Sequence, residues 1–142
     1  MINVQAIDHV VFRVTDLEKV AAFYTDVLGA SWERRRDDIG LHQLRLGSVL
    51  VDLVPVDGPL GQMGGAAPGK EGRNLDHVAF RVDPWDGDDI LAHLRAFGIA
   101  GEIKSRYGAE RDGPSIYIRD PEGNGVELKG PPDAAGSKHS QG

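Results

Sequence analysis

Apolar and polar residues alternate along residues 7–14 and again along 75–82, and each stretch is followed by apolar residues at helical spacing. Alternation predicts strands with two unlike faces. In the first, Val10, Phe12 and Val14 share one face and His9, Val11 and Arg13 the other. Thr15-Asp16-Leu17-Glu18 then reads as a capping box that starts a helix. Leu17, Val20, Ala21, Tyr24 and Leu28 recur along that helix, and Gly29 stops it. Strands are predicted at 41–46 and 49–56, joined by Gly47-Ser48, with a shorter one at 31–36.

The order then repeats. A strand at 75–82 precedes a helix at 86–97, with Ile90, Leu94 and Phe97 inward and Gly98 as stop. Strands follow at 101–106, 115–119 and 125–129, the last after the turn Asp120-Pro121-Glu122-Gly123-Asn124-Gly125. Residues 1–56 and 75–130 are thus two modules. The segment 57–74, rich in Gly and Pro, is a linker or mobile loop, and 131–142 a disordered tail.

Repetition extends to individual side chains. Ile7-Asp8-His9-Val10-Val11-Phe12-Arg13-Val14 returns as Leu75-Asp76-His77-Val78-Ala79-Phe80-Arg81-Val82. If Val10, Phe12 and Val14 pack on the module's helix, parity points His9 and His77 to the opposite face. The closing strands carry a carboxylate of matching parity, Asp52 in one half and Glu127 in the other. If the four side chains converge, His9, His77, Asp52 and Glu127 make a metal site suited to Zn, Ni, Co, Mn or Fe(II).

Composition narrows the field around that site. The 142 residues are 40% hydrophobic, enough for one compact unit with a real core. A net charge of -6 repels phosphate backbones and acidic membrane surfaces, so nucleic acid and membrane are excluded as partners. The chain has no cysteine, which removes thiolate nucleophiles and Cys-type zinc sites. No basic n-region opens the chain and no run of 18 apolar residues occurs, so a soluble cytoplasmic protein is expected. Phosphate-binding, dinucleotide-binding and nucleophile-elbow motifs are absent.

Four further residues are candidates for contacting substrate. Tyr117 and Ser115 share the face opposite Ile116 and Ile118 and so look toward the histidines. Arg13 and Arg81, in corresponding places on the two repeated strands, could meet an anionic substrate or stand as solvated charges. His42, His93 and His139 have no counterpart in the repeat and read as surface residues. The run Arg34-Arg35-Arg36, answered by Asp37-Asp38, reads as a solvated turn.

Three segments together resemble the vicinal oxygen chelate superfamily, which takes in glyoxalase, bleomycin-resistance and extradiol dioxygenase proteins. They are the repeated strand, Phe23-Tyr24-Thr25-Asp26-Val27-Leu28-Gly29, and Tyr117-Ile118-Arg119-Asp120-Pro121-Glu122-Gly123-Asn124-Gly125-Val126-Glu127-Leu128, and the likeness covers roughly residues 5–130. The resemblance implies an α+β fold of paired βαβββ modules, forming a curved mixed sheet around a metal-binding cleft often completed across a homodimer. By position, His9, His77 and Glu127 match the family's usual metal ligands. Asp52 falls where glyoxalase I has a glutamate that binds metal and moves a proton, but it is one methylene shorter, about 1.5 Å. Ser115-Ile116-Tyr117 resembles the stretch in fosfomycin-resistance members whose Tyr meets the phosphonate, although their fuller set of cationic contacts is not evident. The activity implied is a divalent-metal-dependent lyase or isomerase on a small substrate chelated through vicinal oxygens, with Glu127 or Asp52 as the catalytic carboxylate. Alternatives are an Fe(II) extradiol dioxygenase, an epoxide-opening enzyme of the fosfomycin-resistance type, and a bleomycin-type binding protein; the last generally lacks the full ligand set.

Overall fold

The computed structural model describes residues 1–134. It divides into two compact units, residues 1–74 with 120–123, and residues 75–119 with 124–134. Each unit is a mixed four-stranded sheet carrying a helix, the βαβββ order expected of an α+β fold.

In the first unit β1 (His9–Val14) pairs in parallel with β4 (Val49–Pro55). β3 (Leu41–Leu46) then pairs antiparallel with β4, and β2 (Ser31–Arg36) forms the edge. Phe12 and Val14 are buried on one face with Leu44, Val51 and Leu53, while His9 and Val11 on the other face are exposed, as alternation requires. Helix α1 (Leu17–Ala22) buries Val20 and Ala21 and passes into a π-helical turn over Phe23–Val27, where apolar spacing predicts one unbroken helix to residue 28. The π turn seats Phe23, Tyr24 and Val27 inward together, with Tyr24 stacked on Phe12 at 6.0 Å, before Gly29 ends it at a φ of 80°.

The capping box does not form. Asp16, one residue later, accepts the Lys19 N–H at 3.1 Å and caps α1. Thr15 is drawn to the Asp120–Gly123 turn of the same unit, its hydroxyl donating to Glu122 Oε2 at 2.6 Å. Tyr24 donates to Asp120 Oδ2 at 2.8 Å inside the core, and desolvation, reinforced by that carboxylate, pushes its phenol pKa far up. The Arg34-Arg35-Arg36 run lies on edge strand β2 rather than in a turn. Arg35 stacks over Trp32 and pairs with Glu18, and Arg36 pairs with Asp38, so the charges are satisfied along an exposed edge.

The second unit repeats the sheet order, with β5 (His77–Arg81) parallel to β8 (Gly125–Lys129), then β7 (Arg111–Arg119) and edge strand β6 (Ile103–Gly108). β7 begins four residues earlier than the strand expected at 115–119. Gly113 leaves room for the backbone of Pro131, and the Pro114 carbonyl accepts the Gly130 N–H at 2.8 Å. Helix α2 (Gly87–Ala96) is capped by Asp86 and buries Leu94, whereas Phe97 stays exposed against His93 instead of turning inward. Residues 131–134 do not run free, because the Asp133 N–H donates to Asp112 O at 2.7 Å. The rest of the expected disordered tail, with His139, lies outside the described residues.

The 57–74 segment contains a 3-10 turn, Gly61–Gly64, wrapped around Arg13. The guanidinium donates to the carbonyls of Gly61 at 2.9 Å, Gly65 at 2.6 Å and Ala66 at 3.0 Å. A Cβ at Gly64 would overlap it, so glycine there is what lets the loop close.

Candidate metal and substrate site

Strand register puts the chemistry of each unit on the face away from its helix. In the first unit Val11 pairs with Asp52 and His9 with Leu50, so His9 and Asp52 are diagonal neighbours. Asp52 is buried at 3% exposure, and Gln43, its partner on β3, brings its Nε2 to 3.3 Å from both carboxylate oxygens. His9 is exposed, and its Nδ1 lies 2.8 Å from Asp8 Oδ1; this bond chiefly, opposed by some desolvation and helped by the charge of Asp52, raises its pKa above the usual histidine value.

The second unit holds a denser cluster. Glu127, 5% exposed, receives the Ser115 hydroxyl on Oε2 at 2.7 Å and turns Oε1 to within 3.3 Å of His77 Nε2. Asp76 Oδ2 sits 2.7 Å from His77 Nδ1. Tyr117 pairs with Glu127 across the strands, meets the His77 ring edge to face at 5.8 Å, and lies under the Arg106 guanidinium at 5.6 Å. Burial first, and Glu127 second, raise the Tyr117 phenol pKa, so it stays a proton donor through neutral pH. One row further along the same face, Arg81, Lys129, Ser115 and Lys104 are successive cross-strand neighbours. A cleft of about 610 Å³ opens here, bordered by His77, Arg106, Tyr117, Arg119 and Gly125.

The predicted residues therefore fall into two sets. His9 with Asp52 stand in one unit and His77 with Glu127, Ser115 and Tyr117 in the other, and among the described residues no three His, Asp or Glu side chains gather for a metal ion. Arg13 is engaged by loop carbonyls, and Arg81 is ion-paired with Glu110 on the β6–β7 turn. His42 is not a surface residue: it sits at 3% exposure on the helix-facing side of β3, beside Leu53, and desolvation lowers its pKa. Sequence reasoning missed Arg106 and Lys104, and also Lys129, whose buried amine donates to the carbonyls of Arg106 and Gly113. Arg106 and Lys104 supply cationic side chains that the sequence did not make evident, and only the β6–β7 register brings them into view.

Two of these donors, His77 Nε2 and Glu127 Oε1, are spaced as neighbouring ligands of one metal ion would be. In a neutral His77 ring whose Nδ1–H is directed to Asp76, Nε2 presents a lone pair to those of Glu127 Oε1. Two such atoms need a proton or a cation between them. Ligand atoms each about 2.1 Å from one ion stand about 3.0–3.4 Å apart in octahedral or tetrahedral geometry, which matches the 3.3 Å separation.

Comparison with known proteins identifies the relatives of this fold. The model of the Glyoxalase/Bleomycin resistance protein/Dioxygenase superfamily matches residues 6–128. The chain is 31% identical over 129 residues to metallothiol transferase FosB of Lysinibacillus sphaericus, spanning 89% of this chain and 82% of that protein. Among solved structures it is similar to virulence protein STM3117 from Salmonella typhimurium, with a TM-score of 0.77 and 24% identity over 92% of this chain and 99% of that one. It is also similar in fold to a mutant of the fosfomycin resistance protein FosX from Listeria monocytogenes, complexed with Mn(II) and 1S,2S-dihydroxypropylphosphonic acid. There the TM-score is 0.65 and the identity 18%, over 89% of this chain and 90% of that one. No helix among the described residues is long and apolar enough to cross a membrane.

Proposed function

The chain belongs to the glyoxalase, bleomycin resistance and dioxygenase superfamily, and from that premise we propose that it is a divalent-metal-dependent enzyme that opens a small anionic epoxide with a thiol or water. The observation that carries this reading is the 3.3 Å pairing of His77 Nε2 with Glu127 Oε1, beside Tyr117 and Arg106. His77 and Glu127 would hold the ion. His9 of a second copy, in a homodimer, would supply a third ligand, since catalytic sites of this kind use three protein ligands and keep a position open. A bound ion would supply Lewis-acid chemistry at the epoxide oxygen.

The other groups act on substrate directly. Arg106 and Lys104, on the cleft side of β6, neutralise an anionic head such as a phosphonate, and Tyr117 donates to it with a phenol that keeps its proton. Ser115 fixes the Glu127 carboxylate and keeps Oε1 aimed at His77. The nucleophile bonds to one epoxide carbon as that carbon's bond to oxygen breaks, and the nucleophile's proton ends on the freed oxygen. The FosB relative is by name a metallothiol transferase, which supports this reaction over the other members' chemistries.

A second reading, the glyoxalase-like isomerase, is favoured by Asp52. A buried carboxylate on the His9 face has the surroundings of a base that takes a proton next to a carbonyl. The deciding experiment measures metal content and turnover of the purified protein with an epoxyphosphonate plus a low-molecular-weight thiol, and with a hemithioacetal. Metal bound by wild type and lost in Glu127→Ala and His9→Ala, with epoxide consumption, supports the first reading. Stoichiometric metal that survives both substitutions overturns the site, and turnover of the hemithioacetal alone selects the isomerase.

A further inference from the structure

Both candidate histidines follow an aspartate, and both use it in the same way. His9 Nδ1 lies 2.8 Å from Asp8 Oδ1 and His77 Nδ1 lies 2.7 Å from Asp76 Oδ2. Parity would send the side chains of adjacent strand residues to opposite faces. Here β1 and β5 begin at the histidine itself, so the residue before is released from the pleat and its carboxylate folds back over the ring. The side chains of the two aspartates are 90% and 94% exposed, so these contacts add little to the stability of the fold. Their effect falls on the ring: in the neutral imidazole, a carboxylate accepting from Nδ1–H places the single proton on Nδ1 rather than Nε2 and restrains rotation about the bond to the ring. His77 Nε2 is the atom turned to Glu127.

We propose that Asp8 and Asp76 are positioning residues that hold His9 and His77 in the Nδ1–H tautomer, so that each presents an Nε2 lone pair to a divalent metal ion. This rests on the metal-site reading above. Carboxylates in that outer position are worth about 10–100-fold in metal affinity.

Two measurements test it. Long-range ¹H–¹⁵N correlation spectra of the metal-free protein, at alkaline pH where the rings are neutral, report which nitrogen carries the proton. Wild type should show Nδ1–H at His9 and His77; Asp8→Ala should convert only His9 to a tautomer mixture, and Asp76→Ala only His77. Titration with Mn²⁺ alone should show affinity about 10–100-fold weaker in each alanine variant, less weakened in Asp8→Asn and Asp76→Asn, whose amide oxygen still accepts, with melting temperatures unchanged. Unchanged tautomers in the alanine variants overturn the proposal, and so does a changed tautomer with Mn²⁺ affinity within about twofold of wild type. A wild-type protein that binds no Mn²⁺, Zn²⁺ or Ni²⁺ overturns the metal reading and the metal half of this one, while the spectra still decide whether the carboxylates set the rings.

Discussion

Each unit places a carboxylate at the equivalent point of its own sheet, and the two are used differently. Asp52 faces Gln43 across the antiparallel pair, and Glu127 faces Tyr117. Asp52 lies back in the sheet and takes both its contacts from an amide, while the extra methylene of Glu127 carries one oxygen out to His77 and leaves the other to Ser115. A repeated scaffold thus yields one inward-held acid and one presented acid. Side-chain length and the polar partner on the neighbouring strand decide which is which.

The sharpest way to break this contrast is Glu127→Ala. It should abolish stoichiometric metal binding and reduce turnover by at least about a hundredfold, because even outer-sphere partners cost about ten- to a hundredfold; inductively coupled plasma analysis and a rate assay measure both. Next in size is Tyr24→Phe, which bears on how the first unit ties its core to the Asp120 turn. Losing the buried phenol donor to Asp120 should cost about 1–3 kcal/mol in urea unfolding. No change in the urea midpoint would show that the hydrogen bond is not formed in solution.

Acid sensitivity separates the units further. His42 faces Leu53 on β3, where the corresponding residue of the second unit, facing Leu128 on β7, is Ile116. Burial depresses the His42 pKa, so the unfolded chain binds more protons, and stability should fall as pH drops below about 6.5, by at most about 1.4 kcal/mol per pH unit. His42→Leu should flatten that slope between about pH 7.5 and 5.5 in urea titrations at fixed temperature, and an unchanged slope would place the proton uptake elsewhere. The smallest effect is expected from Asp52→Asn. An inward-held acid that neither binds metal nor moves a proton should leave metal content intact and turnover within about tenfold of wild type, whereas a base would lose far more.

Alternation was enough to read from sequence the strands, the face of each histidine and the matching carboxylates, because period two survives wherever one face is buried. Residues that act through long-range pairing were not legible. Arg106 reaches Tyr117 only through the β6–β7 register, which turns on a two-residue loop, Ala109-Glu110, closed by Arg111 at a φ of 77° rather than by glycine. Thr15 lost its predicted capping role to a carboxylate 107 positions away. His42 looked peripheral because it lacks a repeat partner, yet its strand parity already placed it with Leu44 on the core side.

The Arg13 clamp makes the 61–66 loop intolerant of changes that its glycine-rich composition would suggest are neutral. A single methyl at Gly61 or Gly64 has no room, the first against the Pro55 carbonyl and the second against the guanidinium itself. Lysine at position 13, with one flexible ammonium in place of a planar fork, could not hold three carbonyls from two directions. Arg13 shares its strand face with Val11 and His9. Randomised libraries aimed at this loop should therefore select glycine at 61 and 64 together with arginine at 13, and the loop's apparent simplicity would be the misleading part.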